Sequence, residues 1–260
     1  MRDDIYDTTF ELEERHWWYV ARRAIVLDTA ETWLPTGTGT GTGAATPRIL
    51  DYGCGTGRNL VALGQLGDAY GLEPHPRAVE LARSRGVRVE APADGATEHP
   101  FGDDFDLICM LDVLEHVEHD VEALVRLRSW LRPGGRLLVT VPAYGWLWSD
   151  EDDVSHHLRR YTRPRLQPII AAAGLSLCKL SYFNSALMGP QAVVAAAQRV
   201  ARRFRPREPH SNLSPLPSVL NAALQRIMAA EVPILRHVDL PVGSSIVCVA
   251  ERCPSHSRDP

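Results

Sequence analysis

The stretch Ile49-Leu50-Asp51-Tyr52-Gly53-Cys54-Gly55-Thr56-Gly57-Arg58-Asn59-Leu60 decides the reading of this chain, because an apolar strand runs there into a turn of three glycines and then a helix. Gly53, Gly55 and Gly57 let the backbone turn tightly and approach a ligand with no Cβ in the way, while the free N–H groups of the helix start face the same pocket. About 20 residues after Asp51, Tyr70-Gly71-Leu72-Glu73 reads as a second short strand ending in an acid, where a doubly wound nucleotide site sets the carboxylate that grips ribose hydroxyls. An α/β fold with a nucleotide-binding corner is the expectation.

The glycine spacing G-x-G-x-G, with Asp51 ahead of it, departs from the dinucleotide dehydrogenases and resembles the class I S-adenosylmethionine-dependent methyltransferases. The resemblance continues in order through Phe101–Asp106, Leu107–Val117 and Leu131–Pro142. It implies a Rossmann-like sheet of seven strands, S-adenosylmethionine as cofactor and S-adenosylhomocysteine as product. By the same resemblance Gly53, Cys54 and Gly55 lie along the methionine and ribose, Glu73 takes both ribose hydroxyls, and Asp51 reaches the methionine amino group directly or through water. Pro74 and His75 flank the adenine, Asp94 and Ala96 supply adenine contacts, and Leu111 passes its carbonyl close to the amino group, with Asp112 following in the same turn. This chain has His99-Pro100-Phe101 where the family has Leu-Pro-Phe. His16-Trp17-Trp18-Tyr19 with Arg22 resembles a motif ahead of the glycine loop in many bacterial members, expected to fold over the cofactor pocket.

Length and composition bound the rest. A chain of 260 residues can hold one α/β domain with a well-buried core and additional elements. The formal charge of −4 gives no bulk attraction for nucleic acid. Cys54, Cys109, Cys178, Cys248 and Cys253 form no C-x-x-C pair, which fits a reduced, cytoplasmic protein. The N-terminus lacks an apolar signal core, and no run is long enough to span a bilayer.

Along the chain, residues 10–34 read as an amphipathic helical region, followed by the linker Thr36–Gly43, so that 1–46 form an N-terminal helical lid and linker. The cofactor-binding catalytic domain is read over 47–182 plus 243–253. Strands are expected at 48–52, 69–73, 86–90, 105–110, 136–141, 175–182 and 244–250, with helices near 57–66, 76–85, 118–131 and 163–173. Between the last two strands, where the family has a short hairpin, residues 183–242 form a helical insertion. Leu187, Val193, Val194, Ala197, Val200, Ala201 and Phe204 repeat there at helical spacing, as do Leu216, Val219, Leu220, Ala223, Leu224, Ile227 and Leu235. Between them lie Arg199, Arg202, Arg203, Arg205 and Arg207 with Pro206 and Pro209, read as a basic turn or loop. A docked helical pair, a lid over the acceptor, a homodimer interface and a peripheral contact with anionic membrane lipids all fit this pattern.

A methyl acceptor that is a phenol, hydroxyl or ammonium must lose a proton, and a nearby group usually takes it. The loop Ala143–Tyr161 leaves the carboxyl end of the sheet, carries Tyr144, Trp146 and Tyr161, and contains His156 and His157. Its placing resembles the ubiquinone-pathway O-methyltransferases. His156 is the better match for a general base, with His157 and His116 as alternatives. Trp17, Tyr19, Tyr144, Trp146 and Tyr161 are the residues expected to contact the acceptor. Glu115 is read as ordering its loop by hydrogen bonding. Asp150, Glu151, Asp152 and Asp153 are read as a solvated acidic turn rather than a Mg2+ site, since consecutive acids cannot all face one ion, and no metal is expected. The function read from the sequence is methyl transfer to a small-molecule acceptor, preferably at oxygen. The alternatives are a membrane-associated enzyme acting on a lipid or polyprenyl-linked acceptor and a non-catalytic S-adenosylmethionine-binding scaffold.

Overall fold

A computed structural model describes residues 3–35, 45–92, 100–204, 211 and 214–253. Among them, strands β1 (Arg48–Tyr52), β2 (Asp68–Leu72), β3 (Arg88–Glu90), β4 (Phe105–Leu111), β5 (Leu131–Pro142), β6 (Ser176–Phe183) and β7 (Ser245–Glu251) form one sheet in the order β3-β2-β1-β4-β5-β7-β6. The first five run parallel, and β7 lies antiparallel between β5 and β6. The unbroken apolar run Leu107–Leu111 suits a strand covered on both sides, and every residue of β4 is buried. Strand β1 has β2 on one side and β4 on the other, so the chain order reverses there and a crevice opens beyond the strands' carboxyl ends.

Helices cover both faces. On one, α5 (Asp120–Trp130) and α7 (Arg163–Ala172) bury Leu124, Leu127, Leu166 and Ile170 against Ile108, Met110, Leu137 and Val139. On the other, α2 (Trp17–Trp33) buries Ala21, Ile25, Val26 and Ala30 against Ile49, Leu107, Cys109 and Leu138. Helices α9 (Ser218–Ala229) and α10 (Glu231–Leu235) add Met228 and Leu235 to the same core. Each fully buried large aliphatic side chain contributes about 1.5–3 kcal/mol, so α2 is a structural layer of the core. The N-terminal region also begins earlier than residue 10. Helix α1 (Asp3–Leu12) precedes α2, and the break between them is set by Glu13, which turns inward to an ion pair with Arg85 at 2.6 Å. Strand β5 starts five residues before its expected beginning, at Leu131 rather than residue 136. Of the expected basic loop, Arg199, Arg202 and Arg203 lie instead in the helix Met188–Phe204, while Arg205, Arg207 and the Thr36–Gly43 linker lie outside the described residues.

Two further helices lie on the β3 side, α3 (Arg58–Leu63), which gives Asn59 to the crevice wall, and α4 (Pro76–Ser84). A short helix, α6 (Asp150–Val154), and the long α8 (Met188–Phe204) flank it on the other side. The insertion between β6 and β7 is anchored by polar groups of opposite roles. Buried Glu231 accepts N–H bonds from Asn184 at 2.6 Å, Ser185 at 2.7 Å and Ala186 at 3.2 Å. Asn221 accepts from Trp17 N at 2.9 Å and donates to Arg15 O at 2.8 Å, fastening α9 to the start of α2.

Glu231→Ala should strand three N–H donors, two of them in the sequence Asn184-Ser185 that leaves β6. We expect a loss of about 2–4 kcal/mol in urea unfolding, against a smaller loss for Glu231→Gln, which keeps one acceptor oxygen. Equal stability of wild type and Glu231→Ala would show that the anchor contributes nothing.

Candidate functional site

An open cavity of about 1030 Å3 occupies the crevice beyond β1 and β4. Ligand pockets commonly measure about 300–1,000 Å3, so this one has room for a nucleoside-sized cofactor and a second molecule. Its floor is the glycine turn. Gly53 has φ +75°, and a Cβ on it would come within 2.5 Å of Val113 Cγ2; a Cβ on Gly55, at φ +52°, would meet nothing within 4 Å and project into the cavity. Gly55 N donates to Glu73 Oε2 at 2.9 Å and His75 N to Oε1 at 2.9 Å, so the acid at the end of β2 is held by two backbone donors. Burial raises the Glu73 carboxyl above its ordinary range against the pull of those donors.

Gly53, Cys54, Gly55, Glu73, Pro74, Leu111 and Asp112 all reach the cavity wall. Asp51 does not. It lies behind the wall, 1% exposed, with no hydrogen-bond partner for either carboxylate oxygen among the described residues. Burial pushes its pKa up to about 7, offset in part by the Arg22 guanidinium and reinforced by Glu73. A buried carboxylate without a donor is costly, and it calls for a cationic group or a bridging water on the cavity side. Asp94 and Ala96 lie outside the described residues.

The N-terminal segment contributes more than the sequence suggested. Trp17, Trp18, Tyr19 and Arg22 line the cavity as expected, but so do Tyr6, Thr9 and Glu13. Tyr6 packs against His75 at 4.3 Å between ring centres. Nothing in the spacing of α1 marked Tyr6, because the contact depends on how α1 crosses α4. Arg22 reaches from α2 to Asp112 Oδ2 at 2.7 Å and donates to Thr140 Oγ1 at 3.0 Å, while Thr140 Oγ1 donates to Asp112 Oδ1 at 2.9 Å.

The acceptor side departs most from the expectations. Tyr161, Tyr144 and Trp146 are not on the cavity wall. Tyr161 N donates to Pro142 O, and Tyr144 N donates to Tyr161 O, so the loop returns along the end of β5 and turns its aromatics away. Tyr161 is fully buried in the core, its hydroxyl 3.2 Å from Asp120 Oδ2. Tyr144 stacks on Tyr182 at 5.1 Å, and Trp146 is half exposed, its carbonyl accepting from Arg199. The four acids are not a solvated turn: Asp150 and Asp152 are wholly buried in α6, with Asp152 in a capping box with Ser149.

The three histidines do converge on the cavity, in unequal settings. His156 is exposed with φ +58°. His157 is ordered: its Nδ1 lies 2.9 Å from Asp152 Oδ1, and Asp152 is held in turn by Arg160 Nε at 2.6 Å and NH2 at 2.7 Å. Burial alone would raise the Asp152 carboxyl, but hydrogen bonds from His157 and Arg160 hold it well below the usual carboxylate range. An ionised carboxylate only accepts, so His157 Nδ1 is the donor, and in the neutral ring Nε2 is left as an acceptor. Nε2 lies 4.0 Å from Glu115 Oε1.

Glu115 does not order its loop by side-chain hydrogen bonds. It is fully buried on the cavity wall and neither carboxylate oxygen finds a partner in another described residue. Burial, with Asp112 nearby, pushes its carboxyl well above the ordinary range. The His116 ring stands 4.8 Å from that of His157, and burial together with His157 lowers its pKa to about 4. Ligand-type atoms of Glu115, His116 and His157 lie within 4.8 Å of one another. The partners Asp152 and Arg160 carried no signal in the sequence, since they meet His157 only through the turn that ends α6.

Comparison with known proteins places the cavity in a family context. The sequence pattern of the methyltransferase-domain family matches residues 19–180. Over 99 residues the chain is 35% identical to a ubiquinone biosynthesis O-methyltransferase of Azorhizobium caulinodans, covering 36% of this chain and 39% of that protein. The chain spans less than half the length of the curated relatives it matches. The fold is similar to a chain of the complex between the Haloferax volcanii Trm112 methyltransferase activator and a methyltransferase, with TM-score 0.60, 17% identity and coverage of 98% and 96%. It is also similar to an S-adenosylmethionine-dependent methyltransferase of Thermotoga maritima, with TM-score 0.56, 20% identity and coverage of 96% and 95%.

His116 and His157 should give distinct signatures. By nitrogen-detected NMR, His116 should stay neutral until the pH falls toward about 4, and His157 should show the Nδ1–H tautomer at neutral pH. Asp152→Asn should abolish that tautomer preference. A mixed tautomer population for His157 in the wild type would contradict the Asp152 contact.

Proposed function

Since the chain belongs to the methyltransferase-domain family, and S-adenosylmethionine is the cofactor of that chemistry, we propose that it methylates an oxygen of a small-molecule acceptor seated between the Glu115 carboxyl and His157 Nε2. The observation that carries this reading is the Asp152–His157 pair at the cavity wall, with the outer ring nitrogen left open. S-adenosylmethionine supplies a methyl group already activated on a sulfonium, so the protein's share is positioning, exclusion of water and removal of one proton. The residues present fit the donor. Gly55 leaves open space where a ligand backbone approaches, Glu73 offers its carboxylate to ribose hydroxyls, and the Asp51 carboxyl, unpartnered behind the wall, meets an ammonium group through a bridging water.

In this reading His157 Nε2 takes the acceptor hydroxyl proton as the oxygen moves toward the methyl group, and the imidazolium is stabilised by Asp152, which Arg160 keeps ionised and oriented. Glu115, whose burial favours the protonated form, donates a hydrogen bond that fixes the acceptor oxygen. His116 is a weak base with its lowered pKa and serves the same oxygen as a polar neighbour. The preference for oxygen draws support from the O-methyltransferase named among the relatives. The aromatic wall of Trp17, Trp18 and Tyr19 favours an acceptor with a flat or apolar body.

His157→Ala should lower turnover by about 10²–10⁴-fold with little change in cofactor affinity, and Asp152→Asn should lower it while leaving the base in place. His156→Ala should keep most of the activity. Full turnover of His157→Ala across about pH 6–9 would remove the ring from the chemistry; inactivation of the wild type by a chelator, with recovery on adding a divalent cation, would replace the base by metal-assisted transfer. If no labelled methyl group reaches any acceptor in a cell extract, the scaffold reading takes over.

Cofactor affinity tests the other half of the cavity. Glu73→Ala should weaken S-adenosylmethionine binding roughly tenfold or more. Affinity in the wild type should rise as pH increases through about 7, because Asp51 is protonated below that value and gains its charge above it. Calorimetry on Asp51→Asn should show a flat profile in the same window, and a wild-type profile equally flat would dissociate Asp51 from the donor's ammonium group.

A further inference from the structure

Helix α8 carries its apolar stripe on the outside. Val193, Val194, Ala197, Val200, Ala201 and Phe204 recur at the spacing that sets residues on one helical face. That face is in water, with Val193 69%, Val200 57% and Phe204 77% exposed. The helix is held from its opposite side. Ala195 and Gln198 are buried there, Gln198 Oε1 accepts from Asp150 N at 3.1 Å, and Arg202 pairs with Asp150 and Asp153. Helix α9 repeats the arrangement, with Val219 82% exposed and Leu220 and Ile227 partly so, opposite the buried Met228.

Both stripes begin at the cavity. Val194 of α8 and Leu224 of α9 lie on its wall, with Leu187 and Leu216, so each stripe shares a residue with the cavity. Residues 183–242 hold seven arginines and three acids in a chain whose net charge is −4; Arg202 is paired with Asp150 and Asp153, and Arg236 with Asp28. Arg203, beside the α8 stripe, and Arg226 on α9 have no carboxylate partner among the described residues. Apolar patches of this kind mark binding surfaces, and a basic border selects an anionic partner. A second copy of the chain is a poor occupant, because a twofold contact would bring the same arginines face to face. Arginine beside valine and phenylalanine on a helix suits the interface of an anionic bilayer, where the apolar side chains enter and the guanidinium reaches the headgroups.

We infer that the outer faces of α8 and α9 dock on an anionic lipid surface and turn the acceptor cavity toward it. The cavity then receives acceptors that partition into the bilayer, those with an apolar tail. The inference goes beyond the methyl-transfer reading, since docking requires neither cofactor nor turnover.

Flotation of the full chain with vesicles tests it. The protein should float with vesicles of mixed phosphatidylglycerol and phosphatidylcholine, stay behind with phosphatidylcholine alone, and be released by salt. The double variant Val200→Asp, Phe204→Asp should lower partitioning roughly tenfold or more, and Arg203→Gln with Arg226→Gln should lower it less. All four positions are in the outer surface, so S-adenosylmethionine affinity of the variants should match the wild type and certify their fold. Failure of the wild type to float with anionic vesicles at low salt would overturn the inference. So would a wild-type dimer in sedimentation velocity that Val200→Asp, Phe204→Asp dissociates while flotation is unchanged, because a second copy would then cover the face. A protein that floats but transfers no methyl group leaves docking standing and removes only the acceptor chemistry.

Discussion

The backbone of Gly53 stands so close to Val113 that any Cβ would come within 2.5 Å of Cγ2. The turns that follow β1 and β4 are thereby pressed together at the one place in the sheet where the strand order reverses. Everything at the carboxyl end of the sheet is built outward from that contact. Gly55 N is aimed at Glu73 from one turn, and Asp112, Glu115 and His116 are presented from the other. A bulkier residue at position 53 would separate the two halves of the cavity, and a packed interior does not absorb such a shift by small adjustments elsewhere.

Around that contact the layers are joined by arginines that cross between elements. Arg22 ties α2 to Asp112 and Thr140, Arg85 ties α4 to Glu13, Arg160 ties the chain before α7 to Asp152, and Arg202 ties α8 to α6. Several of the carboxylates in these pairs are buried, and buried pairs often add little net stability because desolvation offsets attraction. What they provide here is register. Guanidinium forks accept few geometries, so each fixes a helix against the cavity wall at one rotation. The His157 ring inherits its orientation from such a link.

The insertion between β6 and β7 serves two surfaces at once. Its inner residues Leu187, Leu224 and Met228 complete the wall and the core, and its outer valines and Phe204 meet solvent. Helices with apolar residues on opposite sides are unusual for a part that only fills space, since the outward set gains nothing from folding. Polar anchoring through Glu231 and Asn221 explains how such helices stay in place without hiding their second apolar face.

Local pattern was enough for the sheet and the cofactor corner. The apolar-rich segments at 49–52, 107–111 and 245–250 suit covered strands, and the glycines of 53–57, followed by an acid at the end of the next strand, suit a tight turn whose Gly53 has no room for a Cβ. The acceptor side was not legible in the same way, because its residues come from segments whose approach depends on the whole packing. Tyr161 reads as a ligand contact in a loop rich in aromatics, yet the return of that loop along β5 buries it. The four consecutive acids read as solvent-facing, but α6 turns two of them inward, Asp152 to Arg160 and Asp150 to Arg202. His156 and His157 are adjacent and equal in sequence; only the fold brings Asp152 to one ring and leaves the other in water. Helical periodicity likewise gave the two stripes of the insertion, while which stripe faces in is a property of the partners across the gap, and those are assembled by the tertiary structure alone.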